Sequence, residues 1–376
     1  MRTVSAVLYE MERPAPYAQS QPLKIEELEL EGPGPGEVLV EIAGAGLCHS
    51  DLSVISGARP RPMPMVLGHE ASGIVRETGS GVNELTVGDH VVFSYVPICG
   101  RCSFCMTGRA SLCERGAAAN GKGSLLSGAR RFRTTAGREL NHHLGVSAFS
   151  RYTVAAQESL VKLDPSFPLA QAALFGCAVM TGVGAVINTA GVKAGESVAV
   201  FGLGGVGLSA IMGAKLAGAY PVIGIDLLED KLALARQVGA THALNAKGER
   251  LVEEIQTLTG GGAHHAFDAV GHEKVLAQAY AATRRGGTTV AIGLPHPGRR
   301  FELSPVSLIA EERTLKGSYM GSCVPRRDIP RYIDLHRQGA LPVDRLFSQT
   351  IKLEEINSAF DVLDRGATVR QVVTFE

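Results

Sequence analysis

The apolar and polar pattern changes character about halfway along the chain. From about Ala178 onward, short apolar runs alternate with stretches of helical periodicity. Ser197–Phe201 reads as a strand, Val206–Ala219 as a helix and Pro221–Asp226 as a second strand. Leu227–Val238 (helix), His242–Leu244 (strand), Glu249–Leu258 (helix), Ala266–Val270 (strand), His272–Thr283 (helix) and Thr288–Ile292 (strand) continue the alternation. This spacing predicts a parallel, doubly wound sheet. Thr314–Tyr319 reads as the last strand. Two helical segments follow, and a strand-like tail at Val369–Phe375 lies beyond the sheet, free to return to the first domain.

The first third is patterned differently. Val38–Ile42, Ile74–Val75 and His90–Phe93 are short β-like runs set between Gly- and Pro-rich turns. They predict an irregular barrel or sandwich. Glu114–Gly145 shows no clear period and reads as a long surface loop, with His142 and His143 in it. His264 and His265 also read as loop residues.

Composition narrows the class. At 376 residues the chain exceeds the size of a single core, so two domains are expected. Lys plus Arg equals Asp plus Glu at 37 each, which leaves no basic excess for nucleic acid. The first ten residues lack a signal-peptide core, and Val206–Ala219 is too short to span a bilayer. Thiolate ligands suit a reducing compartment, so a cytoplasmic location is expected, with no membrane partner.

Gly202-Leu-Gly-Gly-Val-Gly207 matches G-x-G-x-x-G, a weak signal in a chain with 45 glycines. Here it follows a strand and opens a helix, as dinucleotide binding requires. Gly202 allows the tight turn, Gly204 lets backbone approach a pyrophosphate, and Gly207 packs helix on strand. Gly205 and Val206 complete the turn. Asp226 ends the next strand, 19 residues after Gly207. A carboxylate there can accept from an adenine-ribose hydroxyl and would repel a 2′-phosphate, which favours NAD over NADP. The plain alternative is a packing turn with Asp226 as a helix cap.

Six of seven cysteines fall into two sets. Cys99, Cys102, Cys105 and Cys113 form C-x2-C-x2-C-x7-C, which departs from the ferredoxin spacing and fits a closed, structural zinc site. Cys48 and Cys177 are dispersed, with His69 between them. Two thiolates and one imidazole would leave a fourth tetrahedral position open, as in a catalytic zinc site. Spacing alone leaves them open to a second reading, as packed core residues. Glu70 and Asp51 sit beside these residues in sequence, as carboxylates around a zinc-bound histidine often do. Cys323 reads as a packed thiol.

Taken in order, GLCHSD, GHEASGIV, the four-cysteine lobe, FGCAVMTGVGAV, GLGGVG, VIGIDLLEDKLALARQVGATHALN and TVRQVVTF resemble the zinc-dependent medium-chain alcohol dehydrogenases along essentially the whole chain. The branch resembled is that of the classical alcohol and aryl-alcohol dehydrogenases. The resemblance implies an α/β protein with a GroES-like barrel catalytic domain (1–178, completed by 322–376) and a Rossmann NAD-binding domain (179–321). It implies catalytic zinc on Cys48, His69 and Cys177, with Glu70 behind the metal, and Asp51 supporting His69. Structural zinc would sit on the four-cysteine cluster. Ser50 would take the alcohol proton. His49 and Arg370 would face the pyrophosphate, Asp226 and Lys231 would hold the adenine ribose, and Thr181 and Ile292 would lie near the coenzyme. Arg59 and Tyr95 stand where substrate-pocket residues are expected, and Ser53 stands where many members have a histidine.

The implied activity is hydride transfer between a primary alcohol, aromatic alcohols included, or its aldehyde and NAD, in a homodimer, with a tetramer as the alternative assembly. Two other functions stand beside it. One is an S-(hydroxymethyl)glutathione-type thiol-adduct formaldehyde dehydrogenase, and the other a non-catalytic NAD-binding zinc protein.

Overall fold

The computed structural model describes residues 1–375 and divides into two compact units. The first contains Met1–Cys177, Val324–Pro330 and the chain from Phe347 on; the second contains Ala178–Cys323 and Arg331–Leu346. The 322–376 segment is thus shared: its strand-forming tail belongs to the first unit, and Arg331–Leu346 to the second.

In the first unit, five strands close a small barrel: Arg2–Leu8, Leu23–Leu30, Phe132–Thr134, Glu139–His142 and Met65–Val66. Val7, Leu28 and Phe132 from these strands share one core cluster with Leu39 and Val154. A seven-stranded sheet adjoins it in the order Leu160–Leu163, His90–Phe93, Glu70–Thr78, Glu37–Gly46, Arg370–Val373, Phe347–Ile351, with Tyr152–Ala156 also on Glu37–Gly46. The tail strand Arg370–Val373 runs antiparallel to Glu37–Gly46, pairing Val372 with Gly46.

Glu114–Gly145 is not a loop. Glu114–Lys122 is a helix, and the segment then supplies two barrel strands. The helix is capped at both ends: Cys113 Sγ accepts from the Gly116 N–H, and Gly123 takes the left-handed conformation at the C-terminus. His142 and His143 are buried, His142 in the second of these strands. His264 and His265 likewise lie in strand Ala263–Asp268.

The second unit is a six-stranded parallel sheet in the order His242–Asn245, Val222–Asp226, Val198–Phe201, Ala263–Asp268, Thr283–Ala291, Thr314–Gly317. The strand order reverses beside Val198–Phe201, which creates the switch point where nucleotides bind in such sheets. Helices Gly205–Leu216, Glu229–Val238, Leu251–Thr259 and Glu273–Ala282 connect the strands. Ala199, Phe201, Ile223, Ile225, Ile255 and Ala266 form a continuous core beneath them. Among the described residues, no single helix is long and apolar enough to cross a membrane.

Candidate active site

Cys48, His69 and Cys177 arrive from three different elements. Strand Glu37–Gly46 ends at the extended residue Cys48, which leads into helix His49–Ile55. His69 immediately precedes strand Glu70–Thr78, whose Glu70 pairs with Gly46. Cys177 follows the short helix Ala173–Gly176. Two glycines are needed at these approaches. A Cβ on Gly46 would lie 2.8 Å from Glu70 Oε1, and one on Gly176 would lie 2.2 Å from the Phe93 carbonyl oxygen.

The donor atoms of Cys48, His69, Glu70 and Cys177 lie within 4.8 Å of one another, and all four residues are buried. Cys177 Sγ is 3.5 Å from His69 Nε2. On the far side of the imidazole, Nδ1 is 3.0 Å from Asp51 Oδ2. Arg370 Nε donates to Glu70 Oε1 at 3.1 Å, and its Nη2 lies 3.8 Å from Cys48 Sγ. Tyr95 is packed edge-on against His69, with ring centroids 5.7 Å apart.

Electrostatics show which charge this cluster would favour. Contact with Cys177 holds the Cys48 thiol well below its ordinary pKa; burial opposes this, while Arg370 and His69 assist. The Cys177 thiol is driven up, first by the same sulfur contact and then by burial. One thiolate is therefore all that the protein's own charges support. Burial pushes Glu70 up to about 7 despite the guanidinium beside it. Its Oε2 is buried without a hydrogen-bond partner. Asp51 is held well below the usual carboxylate range: burial opposes this, but His69 and His143 outweigh it. A divalent cation would let both thiols ionise and would give the orphaned oxygen a charge to face, so the donor set fits zinc.

The four-cysteine set fits zinc as well. Its four sulfurs lie within 4.8 Å of one another, Cys102 Sγ and Cys105 Sγ being 3.4 Å apart. Tetrahedral zinc with bonds of about 2.3 Å would set sulfurs close to that spacing. The N–H groups of Cys99 and Gly116 donate to Cys113 Sγ at 3.3 and 3.4 Å. None of the seven cysteines forms a disulfide. Cys323 is buried, with Asn188 and Tyr332 beside its sulfur.

In the second unit each motif glycine has its own steric reason. Gly202 has φ +88°, a Cβ on Gly207 would meet the Gly202 carbonyl oxygen at 1.7 Å, and a Cβ on Gly204 would enter open space. Gly205 and Val206 start the helix. Asp226 ends its strand with Oδ2 accepting from the Leu203 N–H at 2.7 Å, which ties the acid to the glycine turn. Lys231 lies in the first turn of helix Glu229–Val238. Ile292 is buried, its N–H donating to the Asp268 carbonyl, and Thr181 is buried in helix Ala178–Gly184.

The remaining expected site residues are in the first unit. His49 and Ser50 open helix His49–Ile55, with His49 exposed and Ser50 half-buried. Ser53 Oγ donates to the His49 carbonyl at 2.7 Å, a bond within the helix. Arg59 is half-buried, and its N–H donates to the Ser53 carbonyl. Arg370 sits against Glu70 and Cys48. Sequence reasoning missed His143. Its Nδ1 lies 3.1 Å from Asp51 Oδ1, and its ring meets that of His69 edge-on at 5.5 Å.

A barrel carrying two thiolate donor sets and a parallel sheet carrying a dinucleotide turn define a metal-dependent dehydrogenase. Residues 34–165 match the alcohol dehydrogenase GroES-like domain, and residues 205–338 match the zinc-binding dehydrogenase domain. The chain is 39% identical to S-(hydroxymethyl)glutathione dehydrogenase of Paracoccus denitrificans over 384 aligned positions, covering 100% of both. Benzyl alcohol dehydrogenase of Acinetobacter calcoaceticus has a similar structure, at 32% identity and TM-score 0.92, with 100% of each chain covered. A zinc-binding dehydrogenase of Sinorhizobium meliloti, bound to NADP, matches at 26% identity and TM-score 0.80, again with full coverage of both chains. The chain belongs to the zinc-dependent alcohol dehydrogenase family. It is an oxidoreductase whose cofactors are zinc and a nicotinamide coenzyme.

Proposed function

We propose that the chain oxidises primary alcohols with NAD at a zinc ion held by Cys48, His69 and Cys177. The observation that carries this is the convergence of two buried thiols and one imidazole, with Asp51 fixing the imidazole from behind. Bound zinc supplies Lewis acidity toward an alcohol oxygen, and the bound nicotinamide supplies the hydride acceptor. The protein's own residues do the rest. Asp51 keeps the His69 proton on Nδ1, leaving Nε2 for the metal. Arg370 holds Glu70 behind the donor set. Ser50 accepts the hydroxyl proton and passes it outward through water or His49, because the Ser53 hydroxyl cannot act as a base near neutral pH. Burial of the donor residues keeps bulk water from competing for them.

The substrate has two readings. Similarity to benzyl alcohol dehydrogenase supports a primary aromatic alcohol. The higher identity to S-(hydroxymethyl)glutathione dehydrogenase favours a formaldehyde–thiol adduct. A panel of aliphatic, aromatic and thiol-adduct alcohols, compared by kcat/KM, separates them. The adduct reading expects formaldehyde turnover only with added thiol, and the aromatic reading expects benzyl alcohol to lead without it.

For coenzyme choice, the Asp226 carboxylate favours NAD. Asp226→Asn keeps an acceptor for the Leu203 N–H but loses the charge. It should lower kcat/KM for NAD by about 10- to 100-fold, the equivalent of one charged hydrogen bond, and raise relative use of NADP. An unchanged NAD-to-NADP ratio would remove Asp226 from this role.

We infer a homodimer formed through the outer edge of the second unit's sheet. Strand Thr314–Gly317 is exposed throughout and pairs only with Thr283–Ala291 among the described residues. In helix Pro305–Ala310, which precedes it in sequence, Val306 and Ile309 are 71% and 75% exposed, an apolar surface of the kind that marks an interface. Val306→Asp with Ile309→Asp should convert the dimer to monomer in sedimentation velocity. A wild-type monomer at micromolar concentration would contradict the assembly. A cytoplasmic location accords with seven free cysteines.

A further inference from the structure

The buried carboxylate of Asp51 is shared between two histidines. Oδ2 faces Nδ1 of His69 at 3.0 Å, while Oδ1 faces Nδ1 of His143 at 3.1 Å and accepts from the Gly68 N–H at 3.1 Å. A carboxylate only accepts, so in each ring the nitrogen that faces it carries the proton. All three residues are at most 1% exposed.

The turn that presents His143 is built for the purpose. Leu144 and Ser147 have φ of 54° and 52°, conformations that non-glycine residues keep only when their surroundings enforce them. The enforcement is visible. The His143 N–H donates to Ser147 Oγ at 2.8 Å, and Thr153 Oγ1 donates to the Val146 carbonyl at 2.7 Å. The Ala148 and Phe149 N–H groups donate to the Gly68 and Leu67 carbonyls, each at 3.0 Å. The turn carrying His143 is therefore tied by backbone to the residues just before His69. Gly68, at φ +90°, permits this: a Cβ there would lie 2.5 Å from the Phe149 nitrogen.

We propose that His143 is a positioning residue for the metal ligand His69. By holding Oδ1 it fixes the plane of the Asp51 carboxylate, so Oδ2 stays on His69 Nδ1 and Nε2 stays aimed at the metal. This rests on the reading of Cys48, His69 and Cys177 as zinc ligands.

The test is zinc release from the full-length protein to a chromogenic chelator. His143→Phe should release the catalytic zinc about tenfold faster, as loss of an outer ligand partner does. Release from the four-cysteine cluster should keep its wild-type rate, and circular dichroism should be unchanged. His143→Asn, which retains an N–H near the Nδ1 position, should restore most of the retention. His143→Gln sets its amide one bond further out and should release like the Phe variant. Wild-type release from His143→Phe, or equal release from the Asn and Gln variants, would overturn the proposal. The Asn and Gln comparison decides it even if the Phe variant fails to fold. Wild-type protein that holds only the four-cysteine zinc would instead overturn the ligand assignment, which metal content reveals before any variant is made.

Discussion

Replacing Cys177 with alanine is expected to remove one of two zinc ions per chain and to lower alcohol-dependent NADH formation about a thousandfold or more. The magnitude follows from losing several kcal/mol of Lewis-acid stabilisation, each 1.4 kcal/mol being about tenfold in rate. Cys177 is the informative ligand because burial and its contact with Cys48 both oppose its ionisation. These outweigh the nearby Arg370, and a bound zinc would tip that thiol to its thiolate. The substitution removes one sulfur from a buried position and leaves the Cys48, Arg370 and Glu70 contacts in place. Zinc content by atomic emission and NADH absorbance check the outcome. A Cys177→Ala protein with two zinc ions and the wild-type rate would sink the assignment.

The second large effect is expected at Arg370. Arg370 is 2% exposed, and its guanidinium donates to Glu70, which is fully buried. Arg370→Ala would remove the counter-charge of Glu70, whose carboxyl is already pushed up to about 7 by burial. The loss should approach about 3–5 kcal/mol, as for a broken buried pair, only well above neutral pH, where Glu70 is ionised. It should shrink at lower pH as Glu70 takes up a proton. The loss should appear as a lower urea midpoint. Arg370→Met combined with Glu70→Gln should recover most of it, because no uncompensated charge remains. A loss below about 1 kcal/mol for the single variant well above neutral pH would mean that the pair is not carrying this load.

The second unit was legible because its signals are local. A strand, a glycine turn and a helix adjoin in sequence, and the acid at Asp226 follows at a regular distance. The four-cysteine cluster was legible for the same reason. The dispersed site was not, since Cys48, His69 and Cys177 meet through strand register: Gly46 opposite Glu70 brings two of them together across more than twenty residues. Only the family resemblance supplied the grouping. The segment 114–145 was misread because its strands are three and four residues long. Too few positions remain there for a period to show. Its caps were the better guide, Glu114 in the first turn and Gly123 after Lys122. His143 was missed with it, because its burial depends on a turn held from outside by Gly68 and Thr153.

The central claim is that one of two zinc sites performs the alcohol chemistry. Zinc per chain, measured on the same wild-type preparation as alcohol-dependent NADH formation, tests it most directly. The account predicts two zinc ions per chain and NADH formation that disappears as the second ion is withdrawn. Full activity with one zinc per chain, or two zinc ions with no alcohol-dependent NADH from any alcohol in the panel, would contradict it.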